Sequence, residues 1–407
     1  MVGYLALPFT GLLSPLIALP AVTFKYGAAA WAAIAIGQSI GMAASAIGEL
    51  GWGLNGPQRV ARAAAGNSYQ ILVLSIQSKL VVFAPLAVIV AVSAYTLSPE
   101  YRSESAVIAI ASLAAGLNAV WFYLGKSRPW VAIVTDGLPR MIGVLVAAGL
   151  LLVGAPLMVY ALVGLLLPCV VGPVLGLLVA RTGLTRPRVQ HRPRQVISAI
   201  FAQSSAFTAR LVSALYIALP VTLVSIVSPA SVAVFAAGER LMRLGLGAMA
   251  SVPNGMQGWV GSEPDRMRRW SRVRSAIFLN VLLGMVAAAC FGFLAPVASS
   301  LMFSGSATIP SELAWVLALV IVIVSTSRAT GNLALVALSR VRIIMWSAIA
   351  GAIVGVPSIL VFSHLLGPIG GAIGELSAEL VVLTVQIVGV VSTRRRQMLL
   401  HGRLGSA

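Results

Sequence analysis

Long apolar runs separated by short polar breaks make up almost the whole chain. Each run holds about 20 mostly apolar residues, the length that an α-helix needs to cross the hydrocarbon core of a bilayer. The pattern therefore predicts an all-α, polytopic membrane protein of about twelve transmembrane helices. The predicted spans are 4–23, 29–53, 70–96, 105–125, 129–153, 156–180, 198–225, 229–257, 275–297, 312–336, 343–365 and 368–391.

Composition leaves little room for a soluble domain. Hydrophobic residues make up 59% of the 407 residues and charged residues only 9%, with a mean hydropathy of +0.98. A soluble fold of this length could not bury so much apolar surface. The opening MVGYLALPFTGLL has neither a basic leader nor a small-residue cleavage site, so we interpret it as the first span rather than as a removed signal.

The basic residues predict the orientation in the membrane. Alternate breaks and the tail carry almost all the Lys and Arg that lie outside the spans, whereas the other breaks hold only Lys25 and Arg102. Because excess Lys and Arg mark the cytoplasmic side, both termini are predicted to be cytoplasmic, as an even number of spans requires. The formal charge of +18 thus reflects topology, and we expect no nucleic-acid partner. The basic breaks and the tail contain Arg59, Arg62, Lys126, Arg128, Arg181, Arg186, Arg188, Arg192, Arg194, Arg266, Arg268, Arg269, Arg272, Arg274, Arg340, Arg342, Arg394, Arg395, Arg396 and Arg403.

Two long basic breaks divide the chain further. The first, rich in Arg and Pro, separates six spans from six, and we interpret it as a linker between two lobes. The second, at 258–274, is either a cytoplasmic surface helix suited to anionic headgroups or a solvated loop. AAIAIGQSI at 32–40 aligns with AVFAAGERL at 233–241, as duplication of six spans would place them. The predicted organisation is an N-terminal lobe at 1–180, a linker at 181–197, a C-terminal lobe at 198–392 and a basic tail at 393–407.

Cations at membrane depth are the strongest functional signal. The stretch VAVFAAGERLMR at 232–243 places Glu239, Arg240 and Arg243 inside an apolar run, and such charges are costly unless they face a partner or a hydrated cavity. Arginine stays charged and its planar fork matches phosphate oxygens. We therefore predict a shared cationic cavity for a phosphate-bearing substrate. Its candidate ligands are Arg140, Arg210, Arg240, Arg243 and Arg328, with Lys79 either lining the cavity or snorkelling to the interface. For Arg210, Arg240 and Arg328 the alternative is a structural bond to a backbone carbonyl or to a remote acid.

The buried acids allow more than one role. Asp136 precedes Arg140 and Glu239 precedes Arg243 by four residues, the favourable helical spacing, and a permanently closed pair would be structural. The other candidates for ion coupling are Glu375, Glu379 and Glu49. Glu375 and Glu379 share one face of the last span, so they either bind a proton or Na⁺ or pair with the arginines. Glu49 is either a residue that binds the coupling ion or a charge at the membrane interface.

Metal or cofactor chemistry is not indicated. Cys169 and Cys290 lie within predicted spans, and neither they nor the histidines show metal-ligand spacing. We interpret both cysteines as small apolar residues of the interior, and we expect neither a cofactor nor a metal.

Two segments resemble a known family. GAAAWAAIAIGQSIGMAASAIGELGWGLNGPQRVAR at 27–62 and VAVFAAGERLMR at 232–243 resemble Wzx-type polysaccharide flippases. That superfamily also includes MATE-type multidrug exporters and the lipid II flippases, which usually have fourteen spans. GWGLNGPQRVAR is similar to the run that ends the second span of such flippases.

This resemblance implies a MATE-like fold and a cationic central cavity. It also implies flipping of an undecaprenyl-diphosphate-linked oligosaccharide across a bacterial cytoplasmic membrane for polysaccharide export. Alternating access of two lobes would move this substrate. The expected partners are that lipid-diphosphate-linked oligosaccharide, membrane lipids and other polysaccharide-assembly proteins.

Two rival functions are weighed against the flippase. A multidrug exporter of the same fold would need acids or aromatic walls for cationic drugs, and the deep cations outnumber the deep acids. A membrane-embedded polymerase or glycosyltransferase would need a long outer loop, whereas the best outer cluster, Glu100, Arg102 and Glu104, is small.

Overall fold

The computed structural model describes residues 2–63, 65–182, 192–201, 219–249, 252–253, 256, 260, 263, 265–336, 338 and 340–404. Within these ranges the chain is helical and contains no strand, so the all-α prediction is confirmed. Three π-helical segments interrupt or open helices, at Ile133–Gly137, Tyr160–Leu166 and Ala329–Leu335. The α-helices are α1 Val2–Gly48, α2 Trp52–Arg62, α3 Ala65–Leu97, α4 Arg102–Ala114, α5 Val120–Gly125, α6 Pro129–Ala132, α7 Leu138–Leu152, α8 Leu167–Arg181, α9 Pro193–Phe201, α10 Pro220–Val227, α11 Val232–Met249, α12 Arg266–Met302, α13 Ser311–Arg328 and α14 Val341–Leu404.

Eight helical stretches in the described part are long and apolar enough to cross a membrane. The chain is therefore an integral membrane protein. The stretches are Ala18–Gly48, Asn67–Leu97, Arg102–Gly125, Pro129–Leu152, Tyr160–Arg181, Met267–Met302, Ser311–Leu335 and Arg342–Arg394.

Two glycines explain part of the difference between these eight stretches and the twelve predicted spans. α1 has non-helical geometry at Gly27 (φ 71°, ψ −165°), and α14 has it at Gly367 (φ 60°, ψ −133°). Each residue falls at a break between two predicted spans. Backbone angles of this kind are open almost only to glycine, so each long helix is two crossings joined at a glycine.

The remaining two of the twelve predicted spans are missing from these stretches because one is too charged and the other lies mostly outside the described residues. α11 contains Glu239, Arg240 and Arg243, so it is too polar to count as an apolar crossing although it matches the predicted eighth span. Most of the predicted seventh span, at 202–218, lies outside the described residues.

The chain divides into two compact units. Unit 1 comprises Met1–Ser225 with Leu301–Ser306, and unit 2 comprises Ile226–Ser300 with Ala307–Ala407. Two lobes were predicted from the sequence, and their boundary at 181–197 stays a prediction because 183–191 lie outside the described residues.

In unit 1, α1 packs closely on α4 through small residues. A Cβ added to Gly37 would lie 2.5 Å from the Ser105 carbonyl oxygen, and one at Gly41 would meet the Ala109 carbonyl. The Ser105 hydroxyl also donates to the Ala33 carbonyl at 2.9 Å. The Gly-x-x-x-Gly spacing therefore brings the two backbones together, a common device between membrane helices.

In unit 2, the two halves of α14 form an antiparallel hairpin about Gly367. A Cβ at Gly374 would lie 2.5 Å from the backbone nitrogen of Ile359, so the hairpin leaves no room there for a side chain. α14 also packs against α11 and α13, which places the charged stretch of α11 beside the last crossing.

The basic stretch at 258–274 does not form a separate surface helix where it is described. α12 begins at Arg266 and continues without interruption through the predicted ninth span to Met302. Near its start Arg272 pairs with Glu263 at 2.6 Å, and Arg394 from the end of α14 lies over the Trp270 ring at 4.8 Å from its centroid.

Candidate functional site

The described part of unit 2 gathers charge around Arg243. On α11, Arg243 lies one turn after Glu239 and donates to its Oε1 at 2.7 Å. Its Nη2 also donates to Oε1 of Glu375 on α14 at 3.1 Å. The Arg243 side chain is 29% exposed, against 11% for Glu239 and 5% for Glu375. One guanidinium therefore lies between two carboxylates.

The second oxygen of Glu375 is the polar atom that this arrangement leaves unsatisfied. Oε2 is buried and accepts no hydrogen bond from any described residue. An ionised carboxylate oxygen without a donor is costly in a low dielectric. A proton or a small cation at this oxygen would remove that cost, so the cluster has the chemistry of a cation-responsive site.

Arg328 donates to a backbone carbonyl, whereas Arg243 donates to carboxylates. It is the last residue of α13, directly before the π-helical segment Ala329–Leu335, and its Nη1 donates to the Leu246 carbonyl of α11 at 2.6 Å. A carbonyl acceptor is neutral and does not cancel the charge of the guanidinium, and Glu379 is a carboxylate that interacts with Arg328 electrostatically. Arg240 on α11 and Glu379 on α14 are half-buried in the same unit.

A polar network that the sequence analysis missed lies beside Arg328. Gln386 of α14 accepts from the Thr330 hydroxyl at 2.6 Å and from the Ser327 hydroxyl at 3.2 Å, and its amide donates to the Ser347 hydroxyl at 3.3 Å. The signal for it was a glutamine inside an apolar run. The network fixes the end of α13, and with it the backbone from which Arg328 projects.

Unit 1 contains the other two predicted cations that the structure describes. Arg140 donates twice to Asp136, at 3.0 and 3.1 Å, so this local pair is closed, as is the Glu239–Arg243 pair. Lys79 is fully buried and donates to the Gly116 carbonyl at 2.8 Å. Glu49 is half-buried and lies next to the backbone of Gly53.

The predicted site residues are thus brought together only in part. Arg243, Glu239 and Glu375 meet in unit 2, whereas Arg140 and Lys79 have local partners in unit 1. Arg210 lies outside the described residues, and convergence of all the cations on one cavity stays a prediction. Among the described residues no three His, Cys, Asp or Glu side chains are grouped to hold a metal.

Comparison with known proteins gives similar structures but no similar sequences. No family model matches the chain, and no curated protein matches it. A multidrug resistance MATE family transporter of the MOP superfamily, in an inward-facing conformation, has a TM-score of 0.66 at 17% identity, covering 98% of this chain and 99% of that one. The lipid II flippase MurJ, in an inward closed conformation, has a TM-score of 0.69 at 12% identity, covering 96% of this chain and 86% of that one.

A third similar structure is a MOP superfamily transporter from Pyrococcus furiosus, described as having a binding pocket of reverse polarity. Its TM-score is 0.50 at 14% identity, covering 96% of this chain and 95% of that one. These likenesses show that the chain has a MATE-like fold. None of the three structures is described as a Wzx-type flippase, so that resemblance stays a prediction.

Proposed function

We propose that the protein is a flippase that moves an undecaprenyl-diphosphate-linked oligosaccharide across the bacterial cytoplasmic membrane by alternating access. It would act as a transporter in polysaccharide export, not as an enzyme, with both termini in the cytoplasm. The diphosphate would contact arginines at membrane depth, and the lipid tail would stay in the bilayer. The similar fold of the lipid II flippase MurJ supports a lipid-linked substrate.

The observation that carries this proposal is the environment of Arg328. The Arg328 guanidinium donates to a backbone carbonyl and keeps its positive charge at membrane depth, and maintaining such a charge is expensive without a function. Arginine binds phosphate oxygens in a bidentate manner. A phosphate-bearing substrate therefore suits this residue better than a cationic drug does.

Reconstituted vesicles test the proposal directly. The purified full chain would be inserted into liposomes that contain a fluorescent oligosaccharide on a short isoprenoid diphosphate, and a membrane-impermeant quencher would report which leaflet holds the label. We expect labelled lipid to become accessible faster than in protein-free liposomes. Equal rates with and without protein would reject the flippase assignment.

A multidrug exporter driven by a cation is the second candidate function. The cluster of Glu239, Arg243 and Glu375 favours it, because two carboxylates surround one guanidinium and Oε2 of Glu375 accepts no hydrogen bond from a described residue. The same vesicles loaded with a cationic dye separate the candidates. Export of dye without movement of the labelled lipid would select the exporter.

A further inference from the structure

Two indole rings and two cations from three elements form a continuous stack in unit 1. The ring centroids of Trp52 and Trp121 are 5.7 Å apart. The Cζ of Arg59 lies 5.7 Å from the centroid of the Trp52 ring, and Nζ of Lys79 lies 6.0 Å from that of Trp121. We call Arg59, Trp52, Trp121 and Lys79 the indole stack.

The inner part of the indole stack is held firmly. Trp52 is 1% exposed, Trp121 4% and Lys79 0%. The Trp52 indole donates to the Ser78 hydroxyl at 3.1 Å, and Lys79 donates to the carbonyl of Gly116, which lies just after α4. Gly56 lies directly on the Trp121 ring, where a Cβ would not fit. α2 is therefore fixed on the bundle, with its tryptophan as the anchor.

The outer end of the stack is a pre-organised cation. Arg59 is exposed on α2, a short helix with apolar residues on one face and polar residues on the other, which suits the membrane interface. The Arg59 guanidinium lies over the Trp52 ring, and the planar fork of N–H groups in a guanidinium matches phosphate oxygens. Contact with the ring lowers the side-chain entropy that binding would cost.

The four side chains of the indole stack carry hydrogen-bond donors rather than acceptors. Nε1 of Trp121 is buried and donates to no described residue, which leaves a buried donor unsatisfied. Glu49, which directly follows α1 and lies beside Gly53, is a nearby acid and would weaken anion binding.

We propose that Arg59, oriented by Trp52, is the docking site for the phosphate of a lipid headgroup at the predicted cytoplasmic leaflet. An isoprenoid diphosphate and an anionic phospholipid share this chemistry. The isoprenoid case rests on the proposed function and makes Arg59 the first contact of the substrate. The phospholipid case does not depend on that function.

Binding of farnesyl diphosphate to the purified full chain in detergent micelles tests the site, with farnesol as the uncharged control. We expect Arg59→Gln to weaken farnesyl diphosphate binding by about tenfold or more, since hydrogen bonds to charged groups contribute about 1.5–3 kcal/mol. Trp52→Phe should weaken it less, because a smaller ring still supports the guanidinium. Glu49→Gln should strengthen it.

Arg268→Gln is the matched control, because Arg268 is an exposed arginine at the start of α12 in unit 2, also on the predicted cytoplasmic side. Unchanged affinity in Arg59→Gln, or an equal loss in both variants, would overturn the docking site. Competition by phosphatidylglycerol as strong as that by the diphosphate would identify a phospholipid as the occupant. Weak competition would identify the isoprenoid.

The two proposals fail separately. If Arg59→Gln binds normally while the wild type flips the labelled lipid, the docking site is wrong and the flippase assignment stands. If Arg59→Gln loses binding but the wild type flips no lipid, the docking site stands and the flippase assignment is wrong.

Discussion

Arg243 on α11 donates to Glu375 on α14 at 3.1 Å, although the two residues are 132 positions apart in the chain. The same guanidinium holds Glu239 one turn earlier on its own helix. Arg243 therefore ties a helix with three charged residues to the last crossing. Any change in charge at Glu375 would alter its ion pair with Arg243, and therefore the contact between α11 and α14.

The first prediction concerns ion coupling. In Glu375→Gln the side chain can no longer bind a proton or a cation, and Arg243 keeps its pair with Glu239. We expect transport by reconstituted protein to lose its dependence on a pH or Na⁺ gradient. Initial rates in the presence and absence of each gradient measure this effect.

Glu312→Gln is the control for that experiment, since Glu312 is an exposed acid in the first turn of α13. It should retain the gradient dependence of the wild type. If Glu375→Gln also retains it, the carboxylate serves only to pair with Arg243.

The second prediction concerns stability. Arg243→Gln leaves two carboxylates without their shared cation, and removal of one partner from a buried ion pair costs about 3–5 kcal/mol. The double variant Arg243→Gln with Glu375→Gln removes one of those carboxylates as well. We expect it to be more stable than Arg243→Gln alone, which thermal or denaturant unfolding in detergent would measure. Additive effects of the two substitutions would show that the residues are not coupled in the folded state.

The third prediction concerns the glycines that split the long helices. Gly27→Ala should destabilise the protein by about 1–3 kcal/mol, since an L-residue is strained at these backbone angles, although nothing lies within 4 Å of the added Cβ. Gly367→Ala should cost more, because its Cβ would also lie 2.9 Å from the Ser231 hydroxyl.

Gly149→Ala is the matched substitution for both. Gly149 lies inside α7 with ordinary helical angles and has open space around the added Cβ, so alanine should be neutral or stabilising by about 0.5–1 kcal/mol. The same loss of stability in Gly149→Ala and Gly27→Ala would contradict the backbone explanation.

Much of the fold could be predicted because the bilayer fixes the length of each apolar run. The break between the predicted first and second spans falls at Gly27 within α1, and the break before the last span falls at Gly367 within α14. Local spacing also identified the Asp136–Arg140 pair, because residues four apart lie on one helical face. These features depend on near neighbours in the chain.

Other features depend on packing between distant helices. Pairing of Glu375 with an arginine was one of two alternatives in the sequence, and only the position of α14 beside α11 shows that Arg243 is that arginine. The indole stack likewise combines α2, α3 and α5. No periodicity in the sequence places Trp52 against Trp121.

The last prediction tests the proposed phosphate contact at Arg328. Arg328→Gln keeps a donor for the Leu246 carbonyl but removes the positive charge, so the fold should be retained while flipping of the labelled diphosphate lipid falls by about tenfold or more. Arg328→Lys keeps the charge and loses the planar fork, and it should give an intermediate rate. Arg268→Gln is the control, because Arg268 is an exposed arginine at the start of α12 on the predicted cytoplasmic side. The rate of quencher accessibility in vesicles, normalised to the amount of inserted protein, measures all three variants. Wild-type rates in Arg328→Gln would show that this charge is structural and would remove the main support for a phosphate-bearing substrate.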